Sequence, residues 1–156
     1  MKRIIFVIFA AVLLQLYSFS AVAEQQLNLD DEGVMLHGYD PVSYFAGAPV
    51  EGSKDISYDY QGGRYLFATE ENLEIFVRNP EMYPFAYGGY CAWAMLEGEK
   101  VDVDPERFKK INNIIYLFYN TFFTDTLDKW NNLAEKESEK KLIYRADEQW
   151  LKLTSN

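Results

Sequence analysis

Two sulfur side chains stand four residues apart at Cys91 and Met95, and the chain holds one histidine, His37. On a helix that spacing puts both sulfurs on one face. Thiolate and thioether groups select copper(I), and an imidazole completes such a set. Cys91, Met95 and His37 are therefore the candidate metal ligands, with copper as the candidate ion. A second grouping is aromatic. Tyr39, Tyr44, Tyr87, Tyr90 and Trp93, with Asp40 supplying one charge, are the candidate lining of a concave site for a small molecule or a protein partner. Plainer readings stand beside both: Cys91 as a small buried hydrophobe, Met95 and the rings as core, and His37 as a surface residue.

Catalysis has less to build on. A cysteine nucleophile needs an orienting base, and His37, the one natural base, lies far from Cys91 in sequence with no spacing that marks a dyad. No serine-hydrolase elbow, phosphate loop, His-rich metal motif or dinucleotide fingerprint is present. No catalytic residue is assigned. Binding is favoured over catalysis, and no cofactor beyond copper is implied.

The first residues have the three parts of an export signal. Lys2 and Arg3 are the positive start, an apolar stretch runs from Ile4 to Leu16, and Ala21-Val22-Ala23 is a cleavage site leaving Glu24 as the mature terminus. The stretch is well short of the roughly 20 residues of a spanning helix, so no stable membrane insertion is expected after cleavage. The product is expected to be periplasmic or secreted. Losing Lys2 and Arg3 takes the net charge from −9 to −11, which repels phosphate backbones and argues against nucleic-acid binding. A lone cysteine excludes any internal disulfide. In an oxidising compartment such a thiol is buried, paired with another molecule, or used.

The elements that must position these groups are short. Asp40 caps a helix over Pro41–Phe45 that Gly47 ends. Strands at 57–60 and 64–68 flank Gln61-Gly62-Gly63, and Thr69 caps a helix through Arg78 with Leu73, Phe76 and Val77 toward the core. Asn79 caps a turn at Pro80 whose Met82 and Tyr83 face inward. Ala92–Leu96 is helical with Cys91 at or near its start, and Asp104-Pro105 repeats the cap-plus-proline start. A second hairpin joins 108–111 to 114–119 through Asn112-Asn113. Two amphipathic helices follow, one with Phe123, Leu127, Trp130 and Leu133 on its inner face, the other with Leu142, Ala146, Trp150 and Leu153. The charged run from Glu135 to Lys141 is a solvated face or a connecting turn. No internal repeat is legible. The sum is one α+β domain: short antiparallel β-hairpins packed against short helices, with helical C-terminal segments.

Read together, residues 62–67, Phe76, 79–83 and Tyr87-Gly88-Gly89-Tyr90-Cys91-Ala92 resemble the YHS-domain family. The opening Gly38–Phe45 and the later Asp104-Pro105, 116–120, Trp130 and 146–150 resemble its exported, stand-alone branch. The resemblance divides the chain into a signal at 1–23, a flexible mature terminus at 24–34 and a YHS-like domain at 35–153. YHS modules elsewhere accompany copper-transporting ATPases and multicomponent monooxygenases, so the resemblance implies a role in metal homeostasis. The metal-associated versions typically carry several cysteines, where this chain has Cys91 alone.

Overall fold

Asp40 starts the first helix as its side chain predicts. Its Oδ1 accepts the Val42 N–H at 2.8 Å, Pro41 fills the first turn, and α1 (Pro41–Ala46) ends on Gly47 in the left-handed region. The computed structural model describes residues 26–155; the expected export signal and its cleavage site lie outside the described residues. The strands β1 (Ser53–Tyr60) and β2 (Gly63–Phe67) pair antiparallel around Gln61-Gly62, both at positive φ as a tight two-residue turn requires. Thr69 Oγ1 then accepts the Asn72 N–H and opens α2 (Glu70–Arg78). A 3₁₀ turn at Pro80–Met82 leads to a second at Ala86–Gly89, and α3 (Ala92–Met95) follows with Cys91 at its N-cap.

The next hairpin, β3 (Asp104–Ile111) with β4 (Ile114–Phe118), is the first one over again. Adding 51 to each residue of the first ladder gives the second: Ser53↔Phe67 becomes Asp104↔Phe118, and Tyr60↔Gly63 becomes Ile111↔Ile114. Both ladders carry their irregularity at the same step, after Ser53 and after Asp104. The offset extends upstream. Leu36, His37 and Gly38 have positive φ, and so do Tyr87, Gly88 and Gly89. The Asp40 N–H donates to Val50 O at 2.9 Å, and the Cys91 N–H to Val101 O at 2.9 Å. Gly38-Tyr39 matches Gly89-Tyr90, and Tyr65-Leu66-Phe67 matches Tyr116-Leu117-Phe118. The described chain thus contains two structural repeats, which corrects the expectation of none.

The repeats diverge after their hairpins. A small hairpin of β5 (Asn120–Thr121) and β6 (Thr124–Asp125) precedes α4 (Thr126–Glu137), and α5 (Glu139–Thr154) closes the described chain. α4 begins where Asp125 Oδ1 accepts the N–H groups of Leu127 and Asp128. Phe123, expected on its inner face, is left outside at the hairpin tip, 91 % exposed beside Phe122 at 95 %. Four further expectations fail locally. Asp104-Pro105 begins a strand, Asn79 makes no side-chain cap, and Met82 and Val77 face solvent. The architecture is α+β, with three two-stranded antiparallel sheets among the described residues. No described helix is long and apolar enough to cross a membrane.

The core forms two clusters. One gathers Met95, Tyr116, Phe118 and Trp130 under Leu142 and Ala146 of α5. The other gathers Met35, Leu36, Tyr44, Cys91, Ile115 and Leu117. Asp40, fully buried, ties the first repeat together. Its Oδ2 accepts the Ala68 N–H at 2.9 Å and the Asn72 Nδ2–H at 2.6 Å, joining α1 to the end of β2 and to α2. Asp40→Ala strands three donors, each costing about 1–3 kcal/mol when buried without a partner. Urea unfolding is expected to show a loss of about 3–5 kcal/mol, against about 1 kcal/mol for the exposed cap variant Thr69→Ala.

Candidate functional site

Cys91 holds the position in the second repeat that Asp40 holds in the first, and it does the same structural work. Its Sγ accepts the Tyr119 N–H at 3.3 Å, the counterpart of Ala68 N–H on Asp40. Thr126 donates its one hydroxyl hydrogen to Tyr119 O at 2.7 Å, which leaves Thr126 Oγ1, 3.5 Å from the sulfur, to accept from the thiol. Donor and acceptor capacity of the S–H group are both spent inside the core, where the residue is fully buried.

The other two sulfur-site candidates are committed elsewhere. Met95 is fully buried in the Trp130 cluster, apart from the cluster that holds Cys91. His37 is at the surface with Nε2 2.7 Å from Asp102 Oδ1, an oxygen that also accepts from Asn28 and from the Val103 N–H. Those bonds hold the Asp102 carboxyl below its ordinary range against the opposing effect of its partial burial. Among the described residues, no group of three or more His, Cys, Asp and Glu side chains is placed to hold a metal ion. The donors present do not fit a copper site.

The aromatic candidates disperse. The Tyr39 hydroxyl donates to Glu106 at 3.3 Å near the surface, and Trp93 packs half-buried between the two core clusters. Tyr90 donates to Leu27 O at 3.1 Å beneath the Lys100 ammonium. Asp40 is enclosed as described. Tyr44 is fully buried and donates its hydroxyl to Pro105 O at 2.8 Å. Tyr87 alone of the six lines a cavity, and that cavity is aromatic. About 500 Å³ in volume, it is walled by Tyr60, Tyr65, Phe76, Tyr83, Phe85 and Trp150 together with Tyr87. Tyr65 and Phe76 are in contact at a centroid distance of 5.1 Å, Tyr60 and Tyr83 flank Phe76 at 5.9 and 5.7 Å, and all four belong to the first repeat.

Polar groups punctuate this wall. The hydroxyls of Tyr60, Tyr65 and Tyr83 make no hydrogen bond to a described residue, whereas Tyr87 donates to Asp147 at 3.0 Å. Burial, with Tyr60 adding to it, pushes the Tyr65 phenol up to about 12, so it stays a neutral donor at physiological pH. Burial and then the Asp147 carboxylate push the Tyr87 phenol up as well. The last wall is the segment at Gln26 and Leu27, laid across Gly88. Asn28 N–H donates to Gly88 O at 2.8 Å, and a Cβ on Gly88 would collide with the Gln26 carbonyl oxygen. Only glycine fits that crossing at φ +61°.

A two-repeat α+β domain with one repeat's aromatic face left open is the class of protein this geometry defines. The family model of the YHS domain matches residues 42–86. The match runs from α1 to the start of the second 3₁₀ turn and stops short of Cys91. No curated protein and no solved structure matches the chain.

The role of Cys91 as a buried acceptor separates it from an inert apolar filler. Cys91→Val, a near-isosteric apolar change, leaves the Tyr119 N–H unpaired and is expected to cost about 1–3 kcal/mol in urea unfolding. Cys91→Ser keeps an acceptor and a donor in place and should cost less than Cys91→Val. The reverse order would mean that the hydrogen bonds of the sulfur carry no weight.

Proposed function

We propose that this chain is an exported binding domain that holds a small molecule in the aromatic cavity of its first repeat. One comparison between the repeats carries this reading. Tyr116, the counterpart of Tyr65, is 4 % exposed in a buried cluster with Leu142 and Ala146 of α5. Tyr65 is only half-buried, packed on Phe76 of α2 without a helix like α5 above it, and it lines the cavity instead. The same surface that the second repeat buries under its own chain is available in the first.

The volume and the ring-lined wall of the cavity suit a small ligand. Small-molecule sites are concave, roughly 300–1,000 Å³, mainly apolar and punctuated by a few polar groups. The tyrosine hydroxyls supply those groups, and the rings supply area at little entropic cost. Export is supported by Lys2-Arg3, the apolar stretch and Ala21-Val22-Ala23; cleavage there would leave Glu24 two residues ahead of the wall residue Gln26. Metal handling, which the YHS resemblance implies, has less support, because the thiol is spent on Tyr119 and Thr126 and His37 on Asp102.

Indole is a suitable probe of the cavity. Titrated into the full chain, it is expected to move the NMR signals of Tyr60, Tyr65, Tyr83 and Trp150 together, and to leave those of Tyr39 and Trp93 in place. Tyr83→Leu, which removes a half-buried ring from the wall, should weaken indole about tenfold, the roughly 1.4 kcal/mol that one aromatic contact contributes. Shifts scattered over the surface, or none, would reject the cavity as a binding site.

A further inference from the structure

We propose that the cavity selects an organic cation, a quaternary or tertiary ammonium of choline size, an assignment that rests on the cavity being a binding site. Among the described residues, its lining contains seven aromatic residues and one carboxylate, Glu81, but no lysine, arginine or histidine. Glu81 stands on the Pro80–Met82 turn beside Tyr83 and makes no ion pair with a described residue. Lys100, which bonds the side chain of the wall residue Gln26 and lies over Tyr90, is not itself in the lining. An anionic ligand would therefore meet a carboxylate and no compensating charge.

A cation meets the opposite conditions. Aromatic faces carry negative potential, and several rings around one point form the cage that alkylammonium groups occupy. Desolvation costs a quaternary ammonium less than a primary one, since it has no N–H bonds to water to give up. The outer side of the same ring system already engages a cation. Lys110 Nζ lies 5.7 Å from the centroid of Phe45, whose ring meets Tyr83 at 5.1 Å and Phe85 at 6.3 Å. A net charge of −9, more negative still after loss of Lys2 and Arg3, draws cations toward the whole molecule.

Shape and charge separate cleanly with two probes. Choline and 3,3-dimethylbutan-1-ol have the same outline, with nitrogen in one where the other has carbon. Titrated calorimetrically and by NMR into the full chain, choline is expected to bind at least tenfold tighter than the alcohol. Glu81→Gln, at an exposed turn position, should weaken choline severalfold and leave the alcohol unchanged. Tyr83→Leu should weaken choline as well. Equal affinities, or tighter binding of the alcohol, would overturn the cation assignment while the cavity reading stands. Choline binding that neither variant alters would place the cation elsewhere and overturn the assignment too. If choline, the alcohol and indole all leave the wall resonances unmoved, the cavity reading falls with it.

Discussion

A buried acceptor at the neck of each repeat is the constraint on which the rest of the structure depends. Each half of the chain turns through a left-handed run, enters a short helix, and must return its second strand to the same place. The N–H just beyond that strand, Ala68 in one half and Tyr119 in the other, has no ladder partner and is buried enough to need one. Asp40 and Cys91 supply it from the helix start. The two solutions differ in reach. The carboxylate has two oxygens and so also captures Asn72 of α2, whereas the thiol donates a hydrogen bond to Thr126 at the start of α4. In both cases one side chain fixes the helix, the strand end and the following helix relative to one another.

That fixing is what makes the cavity. α2 carries Phe76 and β2 carries Tyr65, and Asp40 is the group bonded to both elements' neighbourhoods at once. In the second repeat the equivalent ring, Tyr116, lies in the core with α5. In the first, the opposite walls are Trp150 on the flank of α5 and the segment that crosses Gly88. Gly88 therefore serves the site indirectly: it lets the chain at Gln26 and Leu27 approach closely enough to form a wall.

Much of the local structure was legible in the sequence. Asp40-Pro41, Thr69 and the pair Asn112-Asn113 act through their own backbone geometry, and Asn112 and Asn113 adopt the positive φ that pair tolerates. Where two local signals competed, the prediction failed. The spacing of Phe123 with Leu127 fits a helix face, yet the cap at Asp125 starts α4 too late to include it. The repeat is hidden in the sequence because its shared residues are few and scattered, such as Gly38 with Gly89 and Tyr65 with Tyr116, while the shared ladder is a matter of backbone pairing. The cavity is illegible in the sequence for a related reason. Its wall draws on segments as distant as Leu27, Tyr65 and Trp150, and no local pattern announces that they converge. Cys91 drew attention as a chemical group, when its position beside the left-handed run assigned it a structural one.

The most direct test of the open first repeat is a crystal structure of the full chain grown in saturating indole. The account predicts ligand density between Tyr65, Phe76, Tyr83 and Trp150, with Asp40 still bonded to Ala68 and Asn72. Rings closed upon one another with no ligand between them, or indole seated only on the exposed Phe122–Phe123 tip, would contradict it.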